Sequence, residues 1–227
     1  MLSEGDWLAL WVSIKLALAT TTILLLICTP LAWWLARHRL PGQALLEAVL
    51  ALPLVLPPSV LGFYLLVALG PSGPGGWLAS WSDARSLAFS FTGLVIASVI
   101  YSLPFVLQPL KNAFSAIDDG QLDMAAISGA SPVDRFLSLV LPQSRQGYAS
   151  AAILGFAHTI GEFGVVLMIG GSLAGQTRVA SVALYEHVEA GDYASAHRLA
   201  MALLVLSVVM LWALFRWQRR SQPGVMP

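Results

Sequence analysis

The stretch DMAAISGASPVDRFLSLVLPQS, from Asp123 to Ser144, interrupts a chain that is otherwise long, apolar and almost uncharged. It brings together small residues, a glycine, two prolines and several charges. Apolar stretches long enough to cross a bilayer lie on both sides of it. This segment is therefore expected to lie outside the apolar bilayer interior in which its neighbours lie. The question is why it has this composition.

The overall composition places the chain in a membrane. Of its 227 residues, 57% are hydrophobic and only 11% are charged, and the mean hydropathy is +0.76. Soluble domains carry about 25% charged residues. Twelve basic residues balance twelve acidic ones, so no net charge favours binding to nucleic acid. Cys28 is the only cysteine, which excludes an internal disulfide.

Five apolar stretches meet the length of a bilayer-crossing helix, which needs about 20 residues. Backbone groups in lipid must be satisfied within their own segment, so the stretches predict an all-α integral membrane protein with a single transmembrane domain over residues 1–227. The first stretch is too long for a signal peptide and is interpreted as a retained span. The predicted spans are 7–34, 45–69, 89–110, 147–169 and 199–217.

Prolines mark two of the predicted spans. The second contains Pro53, Pro57 and Pro58, and the third contains Pro104 and Pro109. Proline removes a backbone donor and frees carbonyls that neighbouring helices have to satisfy. These two spans are therefore expected to be kinked and either buried in the bundle or placed along a pathway.

The distribution of basic residues predicts the orientation, because cytoplasmic loops are enriched in lysine and arginine. With five spans, the connections after spans one, three and five share one side of the membrane. That side would hold Arg37, Arg39, Lys111, Arg135, Arg145, Arg216, Arg219 and Arg220, and the other side only Arg85, Arg178 and Arg198. The N-terminus is therefore predicted outside, and the C-terminus and the segment 118–142 in the cytoplasm.

Local signals divide the segment 118–142 into two short helices around a turn. Two aspartates, Asp118–Asp119, suit the N-terminus of the first helix, and Gly129 suits the position just after its end. Ser131 then has the features of an N-cap, with Pro132 as the first helical residue and Asp134 in the position that completes a capping box.

The second helix is predicted to be amphipathic and to end at Pro142. Its apolar residues recur at helical spacing; they are Val133, Phe136, Leu137 and Val140. Two interpretations remain open on these local features alone. The segment is either a surface that binds another protein or an ordinary interfacial loop.

The spacing of the segment resembles the cytoplasmic loop of bacterial ABC importer permeases. That loop reads E-A-A, three residues, G, nine residues, I-x-L-P, and every interval is present here with conservative changes. The matching residues are Asp123, Met124, Ala125, Gly129, Leu139, Leu141 and Pro142. The resemblance implies a coupling helix that docks on a cytoplasmic ATPase through these residues together with Ser131 and Pro132.

Two longer stretches resemble the molybdate/tungstate branch of these permeases. They are Leu52 to Gly70 and Gly161 to Val188, and sulfate permeases share much of the first and the EFG of the second. The resemblance implies a type I importer permease fold and transport of molybdate or tungstate across the bacterial inner membrane. A sulfate or thiosulfate permease is the alternative.

The resemblance also implies the partners. The chain has no G-x-x-x-x-G-K-[ST] loop for nucleotide phosphates, so we expect no enzyme activity and no cofactor on this chain. ATP and Mg²⁺ would be held by a dimer of a separate cytoplasmic ATPase, and a periplasmic molybdate-binding protein would deliver the anion. Two copies of the chain would enclose the pathway as a homodimer.

Two other classes of protein were weighed. A secondary transporter would need internal repeats, which the sequence does not show. An intramembrane hydrolase would need a nucleophile and a base at membrane depth, and Ser98, Ser102 and His158 exist. None of these serines has a G-x-S-x-G-like setting.

The run Gly161, Glu162, Phe163 and Gly164 is the candidate for the pathway and its gate. An acid within a span is a functional hypothesis by default. Two like unit charges about 4 Å apart repel by about 4 kcal/mol at an effective dielectric of 20, so a direct contact of an ionised Glu162 with an oxyanion is unfavourable. A structural role for Glu162 is therefore favoured, with Lys15 as a possible partner unless it extends to the outer surface.

The other features of the fourth span have two interpretations each. Its glycines either let helices approach closely or form the pathway wall, and the two are compatible. His158 is more typical of a hydrogen-bonded core residue than of a ligand, and no second group completes a metal site.

Overall fold

Helices form most of the chain over residues 2–38, 41–80 and 86–220, which the computed structural model describes. The side chains of Leu214, Trp217, Arg219 and Arg220 are outside this description, as are the whole residues Arg39 and Arg85. The helices are α1 (Glu4–Arg37), α2 (Gln43–Val55), α3 (Pro58–Leu69), α4 (Pro74–Ala79), α5 (Phe91–Ser115), α6 (Asp119–Ile127), α7 (Pro132–Arg135), α8 (Leu141–Gln143), α9 (Arg145–Gly161), α10 (Gly164–Gly170), α11 (Ala180–Glu189) and α12 (Tyr193–Arg220).

In the described part of the chain, three helices are long and apolar enough to cross a membrane unbroken, namely α1, α5 and the part of α12 up to Ala213. The predicted span 7–34 lies within α1, whereas 89–110 and 199–217 overlap with α5 and α12. α1 begins earlier than predicted because Ser3 and Asp6 form a capping box, with N–H···O distances of 3.0 and 3.1 Å. Pro104 and Pro109 lie inside α5 without breaking it.

The predicted span 45–69 is not one kinked helix but two helices, α2 and α3, that meet at 109°. The break follows from two successive prolines. A residue before proline is driven to extended backbone, and both Leu56 and Pro57 precede one, with ψ angles of 135° and 134°. Pro53 lies inside α2 and is tolerated there.

The predicted span 147–169 is also divided, although it contains no proline. α9 and α10 meet at 62° around Glu162 and Phe163. Gly161 and Gly164 flank the break, and glycine is a poor helix former. Among the described residues, counting each bent pair as one span gives five spans, the predicted number, and three of these are single helices.

The centre of the bundle is made by α1, α5 and α9. α1 and α5 run parallel, because Lys15 lies over the Phe91 ring near the start of α5 and Arg37 bonds the Phe114 carbonyl near its end. α9 runs the other way between them. A Cβ added at Gly155 would lie 2.5 Å from a methyl group of Val106, so the close approach of α9 to α5 requires a glycine there.

The described basic residues divide between the two ends of this bundle. Arg37 and Lys111 lie at one end, where Lys111 pairs with Glu47 at 2.7 Å. Gln218 reaches Ser150 at 3.0 Å, which brings the last turns of α12 to the same end. At the other end, Arg178 pairs with Glu186 at 2.7 Å and His187 pairs with Asp6 at 2.8 Å. The predicted orientation divides these basic residues between the two sides of the membrane in the same way.

The orientation can be tested with reporters fused at the two ends. We expect a reporter after Arg220 to report a cytoplasmic position and one inserted near Ser80 an external one, because basic residues stay inside. The measurement is the paired activity of a reporter that works only outside and one that works only inside. Opposite labelling would place the segment 118–142 outside the cell and exclude contact with an ATPase.

Candidate functional site

The turn between α6 and α7 is a Schellman motif centred on Gly129. Gly129 has φ +87° and donates its N–H to the Ala126 carbonyl, while Ala130 donates to the Ala125 carbonyl, both at 3.0 Å. Gly129 thus occupies the position after the helix end that the sequence predicted. The turn reverses the chain and leaves open space around the glycine, since no atom lies within 4 Å of an added Cβ.

α7 begins with the capping box that the sequence predicted. Ser131 Oγ accepts from the Asp134 N–H at 3.2 Å, and Asp134 Oδ2 accepts from the Ser131 N–H at 3.3 Å. The Ser131 hydroxyl also donates to Asp134 Oδ2 at 2.6 Å. Pro132 is the first helical residue, where its missing N–H has no consequence. Both ends of the turn are therefore held by local hydrogen bonds.

Pro142 does not end the second helix, contrary to the prediction. α7 passes through a π-helical turn at Phe136–Val140 into α8, which contains Pro142 and ends at Gln143. Proline has no N–H to donate and disturbs the turn before it. The π-helical turn precedes Pro142 directly, and such turns accommodate disturbed helical hydrogen bonding. The chain reaches α9 with only a short interruption.

One side of the α6–α8 segment (residues 118–143) is fastened to the spans. Val140 is fully buried, and Phe136 packs edge-on against Trp33 of α1, with ring centroids 5.8 Å apart. Trp33 in turn packs edge-on against Phe114 of α5 at 5.5 Å. Sequence periodicity identified Phe136 and Val140 as apolar positions but not their partners in the spans.

The other side of the segment is exposed. Seven of the nine predicted coupling residues are exposed, and the other two, Ala125 and Leu139, are half-buried. The exposed ones are Asp123, Met124, Gly129, Ser131, Pro132, Leu141 and Pro142. The most exposed apolar side chain of the α6–α8 segment is Ile127, at 83%, which is not among the predicted coupling residues. Its position directly before the turn was the available signal.

Some of the predicted coupling residues line two separate grooves. Met124, Ala125 and Leu139 line a groove of about 570 Å³ between α6 and the π-helical turn. Pro132 lies instead in an apolar groove of about 370 Å³ that α7 forms with α1. The predicted residues therefore form one continuous segment but not one pocket.

Arg37 joins the segment to two spans. Its guanidinium pairs with Asp119 at the start of α6 and donates to the Phe114 and Ile117 carbonyls at 2.9 and 3.0 Å. It also lies over the Trp33 ring, 4.8 Å from the centroid. The end of α1, the end of α5 and the start of α6 thus share one cation. Nothing in the sequence around Arg37 indicates its contact with Asp119, so only its contribution to the orientation in the membrane could be predicted.

The break between α9 and α10 contains the second group of candidate residues. Glu162 is 5% exposed, and Ser98 of α5 donates to its Oε2 at 3.2 Å. Ser181 of α11 donates to the Glu162 backbone carbonyl at 2.5 Å, which satisfies a group that the break leaves without a helical partner. Gly161, Glu162, Phe163 and Gly164 all line one cavity of about 590 Å³.

A chain of hydrogen bonds runs beside this cavity. Thr159 donates its only hydroxyl proton to the Gly155 carbonyl at 2.9 Å, so Ser102 must donate to Thr159 at 3.1 Å. The Ser102 proton is then used, and His158 Nδ1 must donate to Ser102 at 2.9 Å. His158 is therefore the Nδ1–H tautomer when neutral, and its ring stacks on Phe105 at 3.8 Å.

The structure answers two questions that the sequence left open, namely the partner of Lys15 and the role of the glycines in the fourth span. Lys15 does not pair with Glu162 but is exposed, with Nζ 4.5 Å from the centre of the Phe91 ring. A Cβ at Gly164 would lie 2.8 Å from Pro58, which supports the close-approach role, whereas Gly161 faces open space. Within the described ranges, no three His, Cys, Asp or Glu side chains are placed to share a metal ion.

The opposite end of the bundle carries a polar surface around α11. Tyr185 donates to Glu189 at 2.6 Å, and this bond raises the pKa of the tyrosine above its usual value. Asp192 accepts from the Ser195 N–H at 3.1 Å, and bonding to Ser195 holds the pKa of that carboxyl below its usual value. Asp192 therefore stays ionised and caps the start of α12.

Comparison with known proteins identifies the family. Residues 28–225 match the family described as binding-protein-dependent transport system inner membrane component. The chain belongs to this family. It is 53% identical over 224 residues to the molybdenum transport system permease protein ModB of Azotobacter vinelandii, with 99% of each chain covered.

Other relatives carry two kinds of names. The molybdenum transport system permease protein ModB of Escherichia coli is 32% identical, with 93% of each chain covered. The sulfate transport system permease protein CysT of Escherichia coli is 30% identical, covering 84% of this chain and 68% of that one. The full-length match at 53% identity therefore favours the molybdenum branch.

Solved structures show the same fold. A bacterial ABC transporter involved in import of the acidic polysaccharide alginate matches with a TM-score of 0.78 at 17% identity, over 97% of this chain and 81% of that one. The same transporter type in complex with a pentasaccharide-bound periplasmic protein gives 0.78 at 16% identity, over 98% and 82%. The permease thus has the type I importer fold and is an inner membrane protein.

The two partners of the Arg37 ion pair should contribute unequally to stability. Asp119 is 83% exposed, so Asp119→Asn should cost at most about 1 kcal/mol. Arg37→Met also removes the donor from two carbonyls and should cost about 1–3 kcal/mol more. Thermal unfolding of the purified permease in detergent measures both. Equal effects would mean that the carbonyl contacts do not contribute.

Proposed function

We propose that this chain is the membrane-spanning permease subunit of an ATP-driven importer that moves molybdate, or the similar anion tungstate, across the inner membrane. Full-length similarity to molybdenum transport permeases supports the substrate. The type I fold supports the role as translocation subunit. A sulfate permease is the weaker candidate, because those relatives are less similar and match over less of their length.

The α6–α8 segment is the surface that couples the permease to its ATPase. The observation that carries this assignment is the contrast between its two sides. One side is held by buried Val140 and by Arg37, while the other presents exposed apolar side chains, among them Met124 at 67% and Ile127 at 83%. Exposed apolar side chains outside the lipid indicate a protein partner.

Because the α6–α8 segment is held against the spans, it can transmit a movement of the ATPase to them. A rigid helix pair that docks in a cleft of the ATPase would move with that subunit. Because Arg37 connects α6 to the ends of α1 and α5, the displacement would reach both spans without passing through a flexible loop. ATP and Mg²⁺ bind to the ATPase in this scheme, and the permease itself binds no cofactor.

Two copies of the permease form the pathway as a homodimer. Each copy offers its α6–α8 segment to one subunit of an ATPase dimer, and ATP binding draws the two segments together and opens the spans outward. A periplasmic molybdate-binding protein docks on the opposite end, around α11, and releases the anion. Opposite charge on the two surfaces would steer this encounter. Hydrolysis of ATP then returns the spans to the inward state.

The substrate is tested with the complete transporter in proteoliposomes. The permease, its ATPase and its binding protein are reconstituted, and uptake of labelled molybdate is measured with and without ATP. We expect ATP-dependent uptake that excess tungstate inhibits and excess sulfate does not. ATP-dependent uptake of sulfate with no uptake of molybdate would replace the proposal with its alternative.

The coupling surface is tested by Gly129→Leu. A residue with a Cβ at φ +87° is strained by about 1 kcal/mol or more, and the added side chain projects into the space where the ATPase would dock. We expect the variant to remain in the membrane but to bind the ATPase at least tenfold more weakly. Pull-down of the ATPase by the purified permease measures the association, and uptake of labelled molybdate measures coupling.

Gly191→Leu is the matched control for ATPase association. Gly191 also has positive φ, at +72°, and also has open space around an added Cβ, but it lies at the opposite end of the bundle. The control variant carries similar backbone strain and should retain the ATPase. If the two variants bind the ATPase equally well, the α6–α8 segment is not the coupling surface.

A further inference from the structure

The cavity at the break between α9 and α10 contains polar groups that the transport scheme has not used. Its lining combines Ser59 of the α3 start, Tyr101 of α5, and His158 and Glu162 of the α9 end. Glu162 is buried, Tyr101 and His158 are half-buried, and Ser59 is exposed at the mouth of the cavity. Polar and ionisable side chains on membrane-spanning helices are rare and mark pathways for ions or substrates. The cavity therefore qualifies as a place where a translocated anion makes contact.

Glu162 is the buried acid of this cavity, and one of its oxygens has no partner. Oε2 accepts from Ser98, while Oε1 is buried without a hydrogen bond to any described residue. None of the ion pairs between described residues involves Glu162, and Lys15 is turned towards Phe91 instead. A buried carboxylate without a cation is strongly destabilised, whereas a protonated carboxyl needs no counter-charge.

The other polar groups of the cavity determine which kind of ligand can bind there together with Glu162. The hydrogen-bond chain through Ser102 leaves neutral His158 with an acceptor at Nε2 and no free N–H. Tyr101 and Ser59 each carry a hydroxyl that can donate. No lysine or arginine lines the cavity within the described part of the chain. An oxyanion there would meet neutral donors only.

We propose that Glu162 carries a proton in the translocation pathway and that its Oε1 hydroxyl donates a hydrogen bond to the passing oxyanion. This inference rests on the proposed transport of molybdate and adds the residue that contacts the anion. A neutral donor removes the like-charge repulsion that an ionised glutamate would exert. It also binds the anion more weakly than a fixed cation would, which suits a site that must release its substrate.

The titratable groups that face Glu162 are few. Tyr101 lies on α5 and His158 on α9, and Tyr185 of α11 packs against the neighbouring Phe163 with ring centroids 5.0 Å apart. α3 and α10 contribute only a serine and residues without a titratable group to the cavity. The hydroxyl of Ser98 is the one described donor to its side chain. Because tyrosine keeps its proton near neutral pH, the charge of this cavity there depends on the protonation of Glu162 and of His158.

Infrared spectroscopy tests the protonation directly. A protonated carboxyl has a carbonyl stretch that is well separated from those of carboxylates and amides. The difference spectrum between wild-type permease and Glu162→Gln, both in lipid at neutral pH, should contain this band as a wild-type feature. A carboxylate band in its place would overturn the proposal, and it would indicate a cation supplied by the second copy or another partner.

Uptake by the reconstituted transporter tests the contact with the anion. Glu162→Met removes the donor while keeping a side chain of similar length, and we expect uptake to fall by about 10-fold to 100-fold, the effect of losing a hydrogen bond to a charged group. Glu162→Gln keeps an N–H donor and should lie between Glu162→Met and the wild type. Thermal unfolding and ATPase pull-down of both variants exclude loss of folding or assembly as the cause.

The pH profile separates a hydrogen-bond donor from a merely structural residue. As pH rises, wild-type Glu162 loses its proton and becomes an anion, so wild-type uptake divided by Glu162→Gln uptake should fall. Dividing by the variant cancels the pH effects on the ATPase and the binding protein. Tyr148→Phe removes a hydroxyl that bonds Thr29 at 3.1 Å, away from the cavity, and its profile should follow the wild type.

Each outcome bears on a different claim. A wild-type complex that transports no molybdate would reject the proposed function. A complex that transports molybdate with the same rate and pH profile in wild type, Glu162→Gln and Glu162→Met would leave that function intact and reject the role of Glu162. Full inactivity of a folded, assembled Glu162→Gln at every pH would also reject it, because an amide donor should substitute in part.

Discussion

Every interruption of a helix inside the bilayer has to leave its backbone polar groups with partners, and this constraint shapes the permease. The break at Leu56 and Pro57 satisfies it in part because two prolines have no N–H to leave unpaired. The break at Glu162 satisfies it through Ser181, which donates to the freed carbonyl. Non-helical backbone at membrane depth is tolerated only where protein or a polar cavity surrounds it.

The same constraint explains how α3, α9 and α10 come together at the cavity. Because α9 stops at Gly161, the carboxyl of Glu162 and the start of α10 face a cavity instead of continuing a span. Because α3 begins at Pro58, that proline can pack against Gly164 at the edge of the cavity. The residues that line the cavity are thus placed by the breaks, and the long unbroken helices α1 and α5 form the frame against which they pack.

At the end of the bundle that carries the α6–α8 segment, a segment with many exposed residues is held in a fixed position. Local hydrogen bonds at Gly129 and Ser131 give the turn its form without help from the spans. Rigidity relative to the spans comes from Arg37, whose planar guanidinium can bind a carboxylate and two carbonyls together. A lysine would offer a point charge there and could not repeat this geometry.

Local and periodic signals in the sequence were enough to identify the membrane class, the number of spans when bent pairs are counted once, and the turn at Gly129 with the cap at Ser131. These features depend on residues within a few positions of one another, or on composition averaged over a span. The prolines also indicated disturbance of the second span, although the break of 109° is larger than the expected kink.

Tertiary structure alone decided the contacts between distant residues. Nothing near Arg37 in the sequence indicates Asp119, and nothing near Glu162 indicates Ser98 or Ser181. The break at Glu162 and the helical continuation through Pro142 were also not predicted. Local propensity cannot decide such positions, because the partner that stabilises each arrangement comes from another helix and is placed there only when the bundle has formed.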